Sequence, residues 1–267
     1  SDLPDPSEVG QPYTVSVQVR TLPGNTATPG GQVAVSDGTG QTCQIVSLVN
    51  GDGSCQLTSV SVGNKTLSAS YAGAINFGAS SDTEVHTVVA ATTITTITSD
   101  APDPSLPGQN YVVAGTGTSS AGTPTGTVAV TDGAGANCNI TLAGGGGSCQ
   151  LASATLGNKT RSASYTPCSE AFGASNDTEA HVIALAATTT TITSDAPDAS
   201  NVGQAYLVQV SVASASGTPT GVASINDGSG ASCDATLSNG VALCQLVSTS
   251  GGVKTLTANY PGSGNFA

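Results

Sequence analysis

The chain has 267 residues, of which 8% are charged and 3% aromatic, and a formal net charge of -12. Arg20, Lys65, Lys159, Arg161 and Lys254 are its fixed cations, so nucleic-acid binding and electrostatic attraction to anionic lipid are excluded, because both need clustered Lys and Arg. No run of roughly 18 or more apolar residues occurs, so no segment reads as a transmembrane helix.

The sequence repeats with a period of about 95 residues. Asp37-Gly38, Asp132-Gly133 and Asp227-Gly228 fall at equivalent places, as do Lys65, Lys159 and Lys254. All nine aromatic residues obey the period: Tyr13, Tyr111 and Tyr206; Tyr71, Tyr165 and Tyr260; Phe77, Phe172 and Phe266. Nothing large is left over for a unique site. Repetition of one self-sufficient unit is the signature of a stalk, spacer or fibre rather than a catalytic centre.

The first copy begins at Ser1-Asp2, and Tyr13 to Val19 alternates apolar and polar residues as a half-buried strand does. In the second copy, runs bounded by Gly, Pro, Asn and Asp predict strands near 92–98, 110–118, 125–131, 137–142, 147–154, 159–165 and 179–187. No sustained 3.6-residue stripe is present, and Thr and Val abound where a helix would carry Leu, Glu and Lys. The fold class expected is all-β: three tandem immunoglobulin-like Greek-key β-sandwich domains in a linear rod, over residues 1–90, 91–186 and 187–267.

The Thr-rich runs Thr92 to Thr98 and Thr188 to Thr193 introduce the second and third copies, whereas the first starts at the following Ser-Asp, and the third stops at Phe266-Ala267. One strand is thus absent at each end, and together the absent pieces make about one inter-module segment. The expectation is a window cut from a longer array, or one subunit of a polymer. The joints, Val88 to Asp100 and Ile183 to Asp195, contain no Gly, and read as one strand passing almost directly into the next. Such joints are stiff, and three modules in line would extend on the order of 100 Å.

The run Thr123-Pro124-Thr125-Gly126-Thr127-Val128-Ala129-Val130-Thr131-Asp132-Gly133, the turn Ser238-Asn239-Gly240-Val241-Ala242 and the stretch from Thr255 to Ala267 carry a resemblance. In these the chain resembles the bacterial immunoglobulin-like (Big-type) tandem repeats of extracellular surface and adhesin proteins. The resemblance implies display, spacing or adhesion at a cell surface and names no ligand. The chain departs from many such repeats in carrying cysteines.

Cys43 with Cys55, Cys138 with Cys149, and Cys233 with Cys244 recur as one pair per copy across turn-rich segments. Each pair is expected to face across a hairpin as a disulfide, contributing roughly 3 kcal/mol in the chain-entropy model and implying an oxidising, extracellular compartment. Two Cys per copy with no neighbouring His do not complete a four-ligand metal shell. Cys168 has no counterpart, and reads either as an unpaired thiol or as an intermolecular link to a neighbouring chain.

Asp82 and Glu84 precede the first joint and Asp100 and Asp103 follow it; Asp177, Glu179, Asp195 and Asp198 repeat the arrangement at the second. Carboxylates on both sides of a joint are candidate ligands for a shared calcium ion, although Asp in turns also caps backbone N–H groups without metal. No other cofactor is implied. His86 and His181 each follow a Glu by two residues, which suggests pairing with a carboxylate or solvent exposure. No Ser, His and Asp set suggests a triad, and the lack of Trp removes the usual sugar-stacking platform.

Taken together, the residues point to a non-enzymatic, extracellular structural protein forming a rigid stalk or filament at or beyond the cell surface. Its partners would be adjacent repeats of the same chain or further copies of itself. The alternative is an adhesin segment that binds a host or surface ligand through loops such as 21–30 and 167–173, where the copies differ.

Overall fold

A computed structural model describes residues 1–24 and 26–267; Asn25, in the loop 21–30, lies outside the described residues. Strands, bridges and turns make up the described residues, and none is helical. The first copy holds β1 (Asp2–Leu3), β2 (Ser7–Glu8), β3 (Pro12–Gln18), β4 (Val33–Ser36), β5 (Thr42–Ile45), β6 (Asp52–Thr58), β7 (Gly63–Tyr71) and β8 (Ser80–Val89). The second holds β9 (Ile94–Ala101), β10 (Asn110–Thr118), β11 (Gly126–Thr131), β12 (Asn137–Leu142), β13 (Gly146–Ala152), β14 (Gly157–Pro167) and β15 (Ser175–Ile183). The third holds β16 (Thr189–Ala196), β17 (Ala205–Ala213), β18 (Val222–Asn226), β19 (Ser232–Thr236), β20 (Val241–Val247) and β21 (Thr257–Asn259).

The copies follow one plan of two sheets. In the first, β1-β3-β6 faces a sheet ordered β2-β8-β7-β4-β5; the second pairs β13-β10-β9 with β12-β11-β14-β15, and the third β16-β17-β20 with β19-β18-β21. Period-two burial explains why these residues make strands. In β17, Tyr206, Val208, Val210 and Val212 point into the core while Leu207 faces solvent, as a pleated strand with one covered face requires. One core cluster joins Tyr13, Val15, Val33, Val35, Leu57, Leu67 and Tyr71, and another joins Tyr206, Val208, Val210, Ile225, Leu246 and Tyr260. Full burial of each such side chain stabilises by about 1.5–3 kcal/mol.

The last strand of the second copy, expected near 179–187, lies at Ser175–Ile183. Its first half, Ser175-Asn176-Asp177-Thr178, is polar and carries no strand signal, yet the Asp177 carboxylate accepts the Ile97 N–H at 2.7 Å and the Ser175 hydroxyl lies 2.6 Å from that of Thr95. Tertiary hydrogen bonds thus recruit residues that pattern alone assigns to a loop.

The chain divides into two compact units: residues 1–100, 112–151 and 160–180 form one, and residues 101–111, 152–159 and 181–267 the other. Each contains one joint. In the first unit, buried Ala91 donates its N–H to the Ala171 carbonyl and accepts the Gly173 N–H, both at 2.9 Å. The Thr93 hydroxyl adds a bond to the Gly173 carbonyl at 2.8 Å. In the second unit, Ala186 donates to the Asn265 carbonyl at 2.7 Å and accepts the Ala267 N–H at 2.9 Å. Both joints are therefore clipped by backbone bonds to the loop ending in Phe172 or Phe266.

Candidate functional site

Three repeated constellations occupy the places where a site would be sought. The first is covalent. Cys43 is bonded to Cys55, Cys138 to Cys149 and Cys233 to Cys244, with Cα atoms 6.0, 6.0 and 6.2 Å apart. Asn50 and Gly51, Gly144 and Gly145, and Asn239 and Gly240 all have positive φ, the requirement of a type I′ turn. Beyond each turn the strands do not continue as one ladder. Cys43 lies on β5 and Cys55 on β6, which belong to different sheets, as do β12 and β13, and β19 and β20. Each disulfide therefore joins the two sheets at their edge, rather than two strands of a hairpin in one sheet.

The second constellation is a buried carboxylate. In the Asp37-Gly38 turn, Asp37 is fully buried and accepts the Thr39 N–H at 2.8 Å, the Gln41 N–H at 3.0 Å, the Thr39 hydroxyl at 2.8 Å and the Ser59 hydroxyl at 2.8 Å. Because Ser59 gives its one proton to Asp37, the Tyr13 hydroxyl, 3.0 Å away, must donate to Ser59. Burial alone would raise the Asp37 pKa, but the bonds from Thr39, Ser59 and Gln41 outweigh it and hold the carboxyl below its ordinary value. Asp227 repeats the pattern with Ser248, Ser229 and Ala231. The Ser248 hydroxyl is the main cause holding Asp227 far below the usual carboxylate range. Asp132 accepts from Ala134 and Ala136 at 2.8 and 2.9 Å. These are caps and cross-sheet ties, with no metal needed to explain them.

The third constellation bears out the expected pairing of the histidines with carboxylates and overturns the alternative of solvent exposure. His86 and His181 are completely buried, not solvent-exposed. His86 Nδ1 donates to the Asp2 carboxylate, and Nε2 lies 2.8 Å from the Ser7 hydroxyl. Its ring stacks on Tyr13 with centroids 3.8 Å apart. In the other unit, His181 Nε2 lies 2.8 Å from the Ser105 hydroxyl, Nδ1 lies 3.4 Å from Asp103, and the ring stacks on Tyr111 at 3.9 Å. An Asp, His and Ser set thus exists, contrary to the sequence reading, and has the connectivity of a nucleophilic triad. Ser7 is 0% and Ser105 1% exposed, so neither hydroxyl can meet a substrate. The arrangement instead ties the N-terminal residues of a copy to its last strand. β1 joins one sheet and β2 the other, and His86 on β8 bonds to both.

The acidic residues at the joints have the following engagements. Glu84 pairs with the Ser1 ammonium at 2.9 Å, and Asp82 accepts the Thr83 N–H at 2.8 Å. Asp100 pairs with the buried Arg161 guanidinium, which also meets Glu179 at 3.3 Å. Asp103 accepts the Val182 N–H at 2.9 Å, and Asp195 and Asp198 are exposed along a cavity of about 550 Å³. Among the described residues, Asp82 and Glu84 join no cluster of candidate metal ligands, whereas Asp100 and Asp103, two of the expected calcium ligands, lie with His181 in one, and Asp2, Asp5 and His86 form another, the ligand atoms of each lying within 4.8 Å of one another. Cys168 is an exposed free thiol.

Sequence reasoning missed Asp2, Ser7, Ser59 and the burial of Arg161. A signal existed for the first two. The string Ser-Asp-x-Pro-Asp-x-Ser recurs at 1–7, 99–105 and 194–200, and its closing Ser is the one that meets the histidine.

Comparison with known proteins adds the following. The description "Bacterial Ig-like domain (group 3)" matches residues 2–90 and 192–267. No curated protein matches the chain. Among solved structures, it is similar to a tetra-tandem repeat in the extending region of a large adhesion protein, at 18% identity over 94% of this chain and 70% of that one, with a TM-score of 0.37. It is similar also to invasin, a bacterial integrin-binding protein, at 13% identity over 97% of this chain and 55% of that one, TM-score 0.47. A third is the Escherichia coli adhesin FdeC, at 16% identity over 100% of this chain and 93% of that one, TM-score 0.31. The chain thus spans little more than half of the invasin structure.

Proposed function

The chain belongs to the bacterial Ig-like domain family, group 3, and we propose that it is a tension-bearing spacer displayed outside the cytoplasm, built from three modules over residues 1–90, 91–186 and 187–267. The family's domain is a non-catalytic structural or binding fold. The observation that carries the spacer reading is the clipping of each joint: Ala91 and Ala186 each donate and accept a backbone hydrogen bond with the loop that precedes Gly173 or ends at Ala267. A joint held at both N–H and C=O resists bending in a way that a solvated linker does not.

The loop 167–173, a candidate for ligand recognition, commits Ala171 and Gly173 to the joint, which favours spacing over adhesion. The three disulfides support an oxidising, extracellular compartment, since glutathione and thioredoxin keep cytosolic thiols reduced. The partners of such a segment are further copies of the same module.

Single-molecule stretching tests this reading. Three force-bearing unfolding events are expected from the oxidised chain. Each should lengthen by about 35 Å on reduction, because a disulfide sequesters a loop of 11 or 12 residues at roughly 3.3–3.6 Å per residue, less the 6.0–6.2 Å that the bonded Cα atoms already span. Extension without discrete force-bearing events would overturn it.

A further inference from the structure

The first two copies bury the same carboxylates beside a histidine but balance their charge differently. In the first, Asp2 is 7% exposed and His86 fully buried, and both Asp2 and Asp5 converge on His86 Nδ1, Asp2 through a hydrogen bond and Asp5 at 3.4 Å. Two carboxylates therefore face one imidazole, which leaves the group negative whether or not the ring carries a second proton. The cations of this copy are engaged elsewhere: Arg20 with Asp52, Lys65 with Ser61 and Val62, and the Ser1 ammonium with Glu84. In the second copy Asp100, Asp103 and His181 repeat the group, and the Arg161 guanidinium joins it, paired with Asp100 and Glu179. Leu67 stands at the position of Arg161 in the first copy. A buried carboxylate persists where a cation or a metal ion compensates it. The second copy carries that cation in its own chain.

The donors of the first copy fit a metal ion. Their ligand atoms lie within 4.8 Å of one another, and the 3.4 Å between His86 Nδ1 and Asp5 Oδ1 is about the separation of two ligands held tetrahedrally at roughly 2.0–2.2 Å from zinc. Admitting the ion requires the Asp2 carboxylate to step back from the nitrogen it now bonds. With Nδ1 on the metal, the ring proton lies on Nε2, and the Ser7 oxygen 2.8 Å away accepts it, the kind of outer contact that orients metal-bound histidines. Stacking on Tyr13 fixes the ring plane. The Asp5 side chain is 37% exposed, which gives an ion its path in from solvent. One imidazole and two carboxylates suit zinc and its first-row neighbours, whereas calcium takes roughly six to eight oxygens, more than this group offers.

We infer that Asp2, Asp5 and His86 form a binding site for one divalent transition-metal ion of the zinc class, and that Arg161 takes the ion's electrostatic place in the second copy. Asp2 lies on β1 and His86 on β8, which belong to different sheets. The bound ion is therefore a cross-link between the two sheets of the first copy, at the point where its opening residues meet its last strand. The site stands apart from the spacer reading, since a module can hold an ion without bearing tension.

The test uses the full oxidised chain with Cys168→Ser, which removes the exposed thiol as a rival ligand, stripped with chelator and titrated calorimetrically with Zn²⁺ alone. Saturation at one ion per chain is expected, with no displacement by excess Ca²⁺. Asp5→Asn keeps an oxygen for the Thr87 N–H and leaves the buried residues in place. It should weaken binding about tenfold or more, the scale on which even outer contacts tune metal affinity. Leu67→Arg, which copies the cation of the second module, should abolish binding, and Asp103→Asn should leave it unchanged. Absence of saturable binding, two ions per chain, indifference to Asp5→Asn, loss with Asp103→Asn, or displacement by Ca²⁺ would overturn the inference. None of these results alters the unfolding events expected of a spacer under force, so the two readings fail separately.

Discussion

The Ser59 hydroxyl donates to the Asp37 carboxylate at 2.8 Å while lying 3.0 Å from the Tyr13 hydroxyl. Asp37 follows β4 in one sheet, and Tyr13 belongs to β3 in the other. One small side chain therefore ties the two sheets, and Ser248 does the same between Asp227 and Tyr206.

Ser59→Ala removes two buried hydrogen bonds and leaves the Asp37 carboxylate and the Tyr13 hydroxyl each short of a partner. A loss of about 1–3 kcal/mol of stability is expected, read as a lower urea midpoint with an unchanged slope. An unchanged midpoint would show that Ser59 contributes nothing to the tie.

The same carboxylates set the acid limit. Asp37 and Asp227 are held below their ordinary value of 3.8, so the folded state binds protons less readily than the unfolded chain. Their stabilisation is fully present above that value and is lost as pH falls through the depressed folded values. The melting temperature should therefore be level between about pH 7 and 5 and descend below about pH 4. Asp227→Asn should make the descent shallower; an unaltered descent would mean that other groups govern it.

Much of this architecture was legible in the residues. The alternation at Tyr13 to Val19, the Asp-Gly turns and the recurring aromatics pointed to two-sheet, all-β copies, and the repeated Cys pairs pointed to one another. What escaped was long-range. Asp2 and His86 are 84 residues apart, and two-residue strands such as β1 and β2 carry no periodicity to announce that the chain passes from one sheet to the other. The turn at Asn50-Gly51 reads as an ordinary hairpin, because the divergence of β5 and β6 depends on which sheet each joins, not on the turn. Arg161 sits where the other copies carry Leu67 and Leu256; its burial follows from that position, and Asp100 and Glu179 supply the compensating charge.

Removing one staple should cost about 3 kcal/mol in the chain-entropy model. Cys138→Ala with Cys149→Ala should lower the melt relative to the oxidised chain and make the second copy the first to unfold. Thiol titration of the denatured but unreduced chain should find one thiol, Cys168, rising to seven after reduction. Three or more thiols before reduction would break the scheme.

The buried Asp2, His86 and Ser7 set should behave as a clamp and not as a nucleophile. A fluorophosphonate probe should leave Ser7 unlabelled, because the hydroxyl has no solvent access. His86→Ala should release the N-terminal residues, seen as faster proteolysis before Val9. Labelling of Ser7 in the native chain would assign it a chemical role.

Hydrogen exchange at the joint amides bears on the spacer reading at its foundation. If Ala91 and Ala186 are clipped as described, their amide protons should exchange as slowly as those of the flanking strands β8 and β16, several orders of magnitude below free peptide rates, through openings of substantial free energy. Exchange at the free-peptide rate would mean swivelling joints, and a chain of loosely tethered modules in place of a spacer.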